Sequence, residues 1–291
     1  MDINITLKSN NKTLEITKDT PYKLVAIDGI ESAEIKLNIT SNAQYDGSTV
    51  NSKRIDKRPV SITADFKGDN KEIERKKLIS FFNPKNVGSL IISYSEVEKT
   101  IEYEIESFNS KINNVNDPLT FTVDLICPNP YWADLSESKE EIALWISSFS
   151  FSADGSDGLE LIDGGIEFGY RAPSLIVNVL NPADVKCGMR VEFKALATLT
   201  NPSLLNVNTG EFIKINKGMV AGEVISVSTY VGGKKVEDVL NGVTNNAFNY
   251  LDFKSTFLQL AVGDNLFRYD AETNLDNLEV SLYYQPQYLG V

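Results

Sequence analysis

The stretch Arg58-Pro59-Val60-Ser61-Ile62-Thr63-Ala64-Asp65-Phe66 is led into by Gln44-Tyr-Asp-Gly47 and Arg54, and answered much later by Cys127-Pro-Asn-Pro-Tyr-Trp132. Val60, Ile62, Ala64 and Phe66 recur at period two, so they share one face of a β-strand. Directly after it the period changes. Asp69 with Glu72 three residues on reads as a capping box, and Leu78, Phe81 and Phe82 then fall on one helical face. Asn83-Pro84 stops that helix, because the residue before a proline is pushed out of the α region. A turn, a strand, one short helix near 70–83 and a Pro-rich stop make a scaffold whose polar residues converge on no reacting centre. A partner surface is the first thing to expect of it.

Alternation continues outward in both directions: Ile3, Ile5, Leu7; Ala33, Ile35, Leu37, Ile39; Ile101, Tyr103, Ile105; Phe121, Val123, Leu125. These predict half-buried antiparallel strands. The second half punctuates its strands with Asn181-Pro182, Asn201-Pro202, Asn208-Thr209-Gly210, Gly232-Gly233 and Gly263-Asp264-Asn265, the turn spacing of a β-sandwich. Gly232-Gly233 predicts a tight hairpin with positive φ at both central positions. Leu278, Val280, Leu282 and Tyr284 predict a last strand that closes a sheet. No period of about 20–50 residues recurs, which excludes solenoids and propellers. The fold class expected is mainly β: an N-terminal β domain with one short helix over 1–135, then a β-sandwich over 136–291. The polar run Ser136-Glu137-Ser138-Lys139-Glu140-Glu141 marks the junction, as an exposed connection or as a charged edge strand.

Of the 291 residues, 42% are apolar and 23% charged, a globular balance with enough apolar area for two cores. The formal net charge of -12 repels phosphate backbones and disfavours sequence-specific nucleic-acid binding. The densest basic run, Lys53-Arg54-Ile55-Asp56-Lys57-Arg58, is broken by an acid and carries no aromatic to stack a base. The opening Met1-Asp2-Ile3-Asn4 enters a strand with no secretory leader, and apolar runs such as Leu90-Ile91-Ile92 are too short to insert in a membrane. The expectation is a soluble chain made in the cytoplasm. Cys127 and Cys187 fit neither a disulfide framework nor a zinc knuckle, and are expected buried and reduced.

The chain has no histidine, which removes the usual general base, the Ser-His-Asp arrangement and the commonest zinc ligand together. A hydrolase would then rest on carboxylates such as Glu167, Asp252, Asp154 or Asp157, but with 40 acidic residues to choose from such nominations discriminate little. Asp154-Gly-Ser-Asp157-Gly-Leu-Glu160 has the look of a calcium loop but misses the EF-hand spacing, and an Asp-Gly turn explains the same letters. No phosphate-cradling Gly-rich motif is present. The expectation is no catalytic residue, no cofactor and no metal site. Trp132 and Trp145 could stack on sugar rings. Tyr131 and Trp132, just after Pro130, are read instead as a plug between the two domains.

In their order along the chain, these features resemble the distal tail (Dit) proteins of phages and prophages, the siphovirus-type tail component family. The resemblance rests on Tyr22 to Gly29, Tyr45-Asp46-Gly47, Arg54 and Arg58 before Val60–Phe66, and Glu74-Arg-Lys-Lys-Leu78 running into Phe81-Phe-Asn-Pro84. Leu90 to Tyr94 and Cys127 to Trp132 follow, then Asn206-Val-Asn-Thr-Gly210, Leu251-Asp-Phe253, Gly263-Asp-Asn265 and Tyr288-Leu-Gly-Val291. It implies a hexameric ring built by the N-terminal domain and a galectin-like C-terminal β-sandwich. The ring would be the baseplate hub of a virion tail tip, assembled in the host cytoplasm between the tail tube protein and the tail-tip protein. The second domain would offer docking sites to receptor-binding or peripheral baseplate proteins, and an acidic inner wall would let DNA pass. In this picture Arg54 and Arg58, in a loop from Asn51 to Pro59, make inter-subunit or tube contacts. The competing readings are a carbohydrate-binding host-adhesion module, a tail-tube subunit and a carboxylate-driven hydrolase. True galectins use a histidine that this chain lacks.

Overall fold

The structure, a computed structural model, describes residues 3–41, 43–44, 46–95, 97–111, 117–142, 145–146, 170–171 and 176–291. It divides into two compact units: Met1–Leu135 together with Gln287–Val291, and Ser136–Pro286. The last five residues therefore lie in the first unit and not with 136–286, where the sequence alone places them.

The first unit runs β1 (Ile3–Ser9), β2 (Lys12–Ile16), β3 (Tyr22–Asp28), β4 (Ile35–Ser41), β5 (Ser48–Ile55), β6 (Arg58–Phe66), α1 (Lys71–Phe81), β7 (Val87–Tyr94), β8 (Val97–Lys111), β9 (Leu119–Cys127) and β10 (Trp132–Ala133). One sheet takes the order β2-β1-β7-β8-β9-β6-β3, and β10 pairs with β8 beside it. β8 is the strand that makes this possible. Its residues Val97–Glu104 pair with β7 and Glu104–Lys111 pair with β9, with the register slipping between Ile105 and Ser107. A bulge bends and twists a strand, so one long strand serves two stretches of sheet that close on one core. That core holds the alternating residues read from the sequence: Ile5 and Leu7, Val60, Ile62, Ala64 and Phe66, Ile101, Tyr103 and Ile105, Phe121, Val123 and Leu125.

The helix α1 closes the core with Leu78, Phe81 and, just past its end, Phe82. Phe82 stacks on Phe108 at 5.0 Å, and Tyr22 meets the edge of Phe121 at 6.1 Å, geometries that aromatic quadrupoles favour. Its start differs from the expected capping box. Asn70, in the left-handed region at φ 60°, is the N-cap and makes no side-chain cap bond, which leaves Asp69 one residue outside the capping position.

The second unit runs β11 (Ser138–Glu141), β12 (Trp145–Ile146), β13 (Tyr170–Arg171), β14 (Ile176–Asn181), β15 (Met189–Ala195), β16 (Leu199–Thr200), β17 (Ser203–Asn206), β18 (Phe212–Lys214), β19 (Gly218–Met219), β20 (Val224–Ser228), β21 (Lys235–Leu240), β22 (Val243–Asn246), β23 (Gly263–Asp270) and β24 (Leu278–Tyr284), and β25 (Gln287–Tyr288) follows in the first unit. A six-stranded sheet, β11-β24-β15-β20-β21-β22, and a four-stranded sheet, β14-β23-β17-β18, contribute to one core. Val191, Phe193, Ile225, Val280 and Leu282 come from the first sheet, and Val179, Leu204, Ile213, Phe267 and Tyr269 from the second. The chain is thus mainly β, with one α-helix among the described residues and a β-sandwich as its second unit.

Three details depart from the sequence reading. The polar run at the junction is the edge strand β11, paired with β24, so the last apolar strand sits inside its sheet and does not close it. Gly232-Gly233 lies in a six-residue connection, 229–234, where Gly232 alone of the two has positive φ. The tight hairpin sits instead at Asn241-Gly242 between β21 and β22, with φ of 51° and 78°, the pair of left-handed residues that matches strand twist. The third is β4, expected to be half-buried and found exposed along its whole length.

Phe193 and Phe121 are each fully enclosed in their own unit's core. Phe193→Ala and Phe121→Ala are each expected to cost about 3–5 kcal/mol in urea unfolding, since each deletes a ring from a site too crowded to collapse around the void.

Candidate functional site

The chemistry of β4 and β5 follows from their pairing. Residues directly opposite in an antiparallel pair lie on one face, which places Ile35 with Ile55, Leu37 with Lys53, and Ile39 with Val50. The opposite face carries Lys36 with Arg54, Asn38 with Ser52, and Thr40 with Thr49. The register slips between Asn38 and Ile39, leaving Asn51 as the extra residue. Without that bulge Val50 would turn to the polar side, because a one-residue slip inverts every side chain beyond it. One face of the hairpin therefore gathers Ile35, Leu37, Ile39, Val50 and Ile55, with Lys53 and the Ser41–Ser48 pair on the same side.

Its apolar face is uncovered. Ile35, Leu37, Ile39 and Val50 are 57%, 48%, 51% and 44% exposed, and the two strands pair only with each other. A lone two-stranded hairpin is marginal in water, and neither strand pairs with a third among the described residues. The sequence reading found the alternation in β4 but assigned its apolar side to a core.

The two arginines nominated for that surface separate. Arg54 is on the hairpin, three-quarters exposed, 3.8 Å from Asp56, to which Lys36 also binds. It belongs to strand β5 and not to a loop. Arg58 opens β6 and is 1% exposed. Its Nε donates to Pro130 O at 2.7 Å, Nη1 to Gly29 O at 2.8 Å and Glu31 O at 3.2 Å, and Nη2 to Leu289 O at 2.5 Å. The guanidinium also lies 5.8 Å from the centroid of the Trp132 ring. Burial lowers its pKa from the ordinary arginine value. Arginine nonetheless keeps its proton in proteins, so the charge is held by carbonyl dipoles. The signal was in the sequence: counting back by two from Phe66, Ala64, Ile62 and Val60 lands on Arg58, on the core-facing side of the strand. Gly29 is required here as well. Its φ is +87°, and a Cβ on it would lie 2.1 Å from Pro59 O.

Trp132 is fully buried in the first unit's core, and Tyr131 is half-buried. The Trp132 indole N–H is enclosed with no hydrogen-bond partner among the described residues, so packing and the Arg58 cation hold the ring.

A second feature of the first unit is an open groove of about 830 Å³ between β2 and α1, lined by Leu14, Pro21, Tyr22, Ile73, Leu78 and Phe81, with Lys12, Lys76 and Lys77 also on its wall. At its centre the Tyr22 hydroxyl donates to Glu74. Burial and this carboxylate raise the tyrosine pKa.

Of the carboxylates nominated for hydrolysis, Asp252 is half-buried and serves a turn: it accepts from Asn216 Nδ2 at 3.0 Å and from Lys254 N at 2.9 Å. The Asn216 bond, first among several causes, lowers its pKa, the opposite of what a proton donor needs. Glu167, Asp154, Asp157 and the whole 154–160 calcium-like run lie outside the described residues. Among the described residues no group of three or more His, Cys, Asp or Glu side chains could hold a metal, and no helix is long and apolar enough to cross a membrane. The turn motifs of the second half are structural. Asn206 Oδ1 accepts from the backbone N–H groups of Asn208 and Thr209, and buried Asn265 holds Ala261 and Gly263.

Residues 182–288 match the siphovirus-type tail component family in its C-terminal domain. All of the matched residues but the last two fall in the second unit. No curated protein matches the chain in sequence. Among solved structures, the chain is similar to SPP1 Dit, described as a paradigm of the hub adsorption apparatus in phages that infect Gram-positive bacteria. The TM-score is 0.68 at 13% identity, over 98% of this chain and 99% of that one. It is also similar to a chain of the phage P2 baseplate in its activated conformation with Ca, with a TM-score of 0.58 at 10% identity, over 98% of each chain. A third similar chain, from the same baseplate with Sr, has a TM-score of 0.57 at 10% identity, over 97% of each chain. At these identities the likeness is one of fold.

Two expectations follow from the geometry. Arg58→Ala leaves four carbonyls short of a donor and is expected to cost on the order of 3 kcal/mol or more, each orphaned buried acceptor being worth about 1–3 kcal/mol. Arg54→Ala is expected within about 0.5 kcal/mol of the parent, and chemical denaturation of the two variants side by side measures both. The buried thiols provide a further check. Burial pushes Cys127 up to about 12 and Cys187 up to about 11. At pH 8 roughly one thiol in a thousand or fewer is then ionised, so neither is expected to react with a disulfide reagent until the protein unfolds.

Proposed function

We propose that this chain is a structural component of a phage or prophage-derived tail, a baseplate hub whose first unit closes with identical copies into a hexameric ring. The ring joins the tail tube to the tail tip, and the second unit offers docking sites to peripheral or receptor-binding proteins. The observation that carries the reading is the β4–β5 hairpin, whose apolar face of Ile35, Leu37, Ile39 and Val50 is exposed and has no partner among the described residues. A heterologous contact between such a face and a complementary surface on the next copy generates a ring when the rotation closes, and it hides the free edges in doing so. The match of residues 182–288 to a tail component family and the full-length likeness of fold to SPP1 Dit support the same reading. Arg54 and Lys53 lie on the strand that would face the neighbour, so their contribution is to orientation and rate of association more than to affinity. No residue of the described chain is assigned a catalytic role.

The test is the mass of the purified full chain by light scattering, with negative-stain images of the same sample. Closed rings of six copies are expected. Leu37→Asp combined with Ile39→Asp should abolish association while leaving the far-UV circular dichroism of the folded single copy unchanged, because both residues are exposed in the single chain. A parent protein that stays a single copy at high concentration, or that grows into long tubes, would remove the ring from the account.

A further inference from the structure

After Pro286 the chain re-enters the first unit, and its next five residues make contacts of four different kinds there. Tyr288 pairs with Trp132 across β10 and β25. Its ring lies under Lys99, whose Nζ is 3.4 Å from the ring centroid, and its hydroxyl donates to Asp134 Oδ2 at 3.4 Å. Leu289 O takes the Arg58 Nη2 bond, and Val291 N donates to Ile30 O at 3.1 Å. Gly290 passes so close that a Cβ on it would lie 2.3 Å from Glu31 O.

We infer that the niche formed by Arg58, Trp132 and the 29–31 turn is a binding site for an extended peptide segment, filled by residues 287–291 of the same chain. The first unit would then be complete only after the whole of 136–286 has been made. The two-residue strand β10 is otherwise held to its sheet by the single pair Ala133 and Thr100, so Trp132 depends on β25 for its second edge. Arg58 depends on the same segment for one of its four acceptors. The contacts are also selective. Backbone carbonyl and N–H bonds require an extended segment, the Lys99 site requires an aromatic at the first contact, and the Glu31 approach requires glycine two positions later. Tyr288-Leu-Gly290 meets each of these requirements in place. Because 135 and 287 are joined through the whole second unit, the first unit is discontinuous in sequence. Its two pieces meet after a delay set by the synthesis of the residues between them. This inference does not rest on the ring.

The experiment uses the full chain with Trp145→Phe, which leaves Trp132 as its one tryptophan. Gly290→Val should shift Trp132 emission to the red. It should also raise deuterium uptake at least about tenfold in peptides covering 29–31, 58–60 and 130–134, while peptides from 187–284 stay at parent rates. A synthetic peptide of sequence Gln-Pro-Gln-Tyr-Leu-Gly-Val, added in excess, should restore the blue emission, and the same peptide with valine in place of glycine should not. Tyr288→Ala, which removes contacts without forcing a clash, should give a smaller shift in the same direction. Unchanged emission and exchange in both variants would overturn the inference. So would failure of the glycine peptide to bind the Gly290→Val protein, or a Gly290→Val protein unfolded in both units. Emission of the parent that reddens on dilution would mean that the segment comes from a second copy, and would overturn the intrachain assignment.

Discussion

The guanidinium of Arg58 is the point on which the first unit turns. Four of its N–H groups are spent on carbonyls from three stretches far apart in sequence: the 29–31 turn, Pro130 and Leu289. A planar, permanently charged fork is suited to this, because it gathers several acceptors at fixed angles and cannot shed its charge to escape burial. The same cation faces Trp132, so an arginine and an indole that would each be awkward alone are enclosed together. Gly29 and Gly290 belong to the same arrangement, since both lie where another backbone comes too near for a side chain.

From that anchor the rest of the first unit divides into a closed part and an open part. The closed part is a single curled sheet with α1 packed on its core, made continuous by the bulge in β8. The open part is the β4–β5 hairpin, which leaves the sheet between β3 and β6 and carries its apolar residues on one exposed face. Arg58 opens the strand that follows the hairpin, and Gly29 closes the strand that precedes it, so the niche fixes where both legs of the hairpin emerge. The base is pinned by the Arg58 bonds, and the arm carries its apolar residues on an exposed face.

The second unit has another character. Three of its buried polar side chains, Asn181, Asn206 and Asn265, are bound to backbone groups of neighbouring turns, which fixes loop shape. The sequence match to a tail component domain falls on this part of the chain. Asp252 likewise serves a turn, accepting from Asn216 and from the Lys254 backbone N–H.

Much of this was legible in the residues. Period-two alternation named the core-facing side chains of β1, β6, β8, β9 and β24, and the change of period at Leu78–Phe82 named the helix, because both signals are local and depend on backbone geometry alone. Asn241-Gly242 carried its own hairpin in two letters. What alternation cannot say is which material covers a face, and that is where the readings of β4 and Arg58 went astray: the same pattern that enters a core in β6 stands in solvent in β4, and a charge on the core-facing parity was assigned to a loop. The amino-acid sequence therefore determined strands, turns, helix and the lack of a histidine-based chemistry. The tertiary structure alone decided that Arg58 is enclosed by carbonyls from Gly29, Glu31, Pro130 and Leu289, that residues 287–291 belong with 1–135, and that the apolar side of one hairpin is exposed. Those are contacts between segments tens to hundreds of residues apart, and no spacing along the chain encodes them.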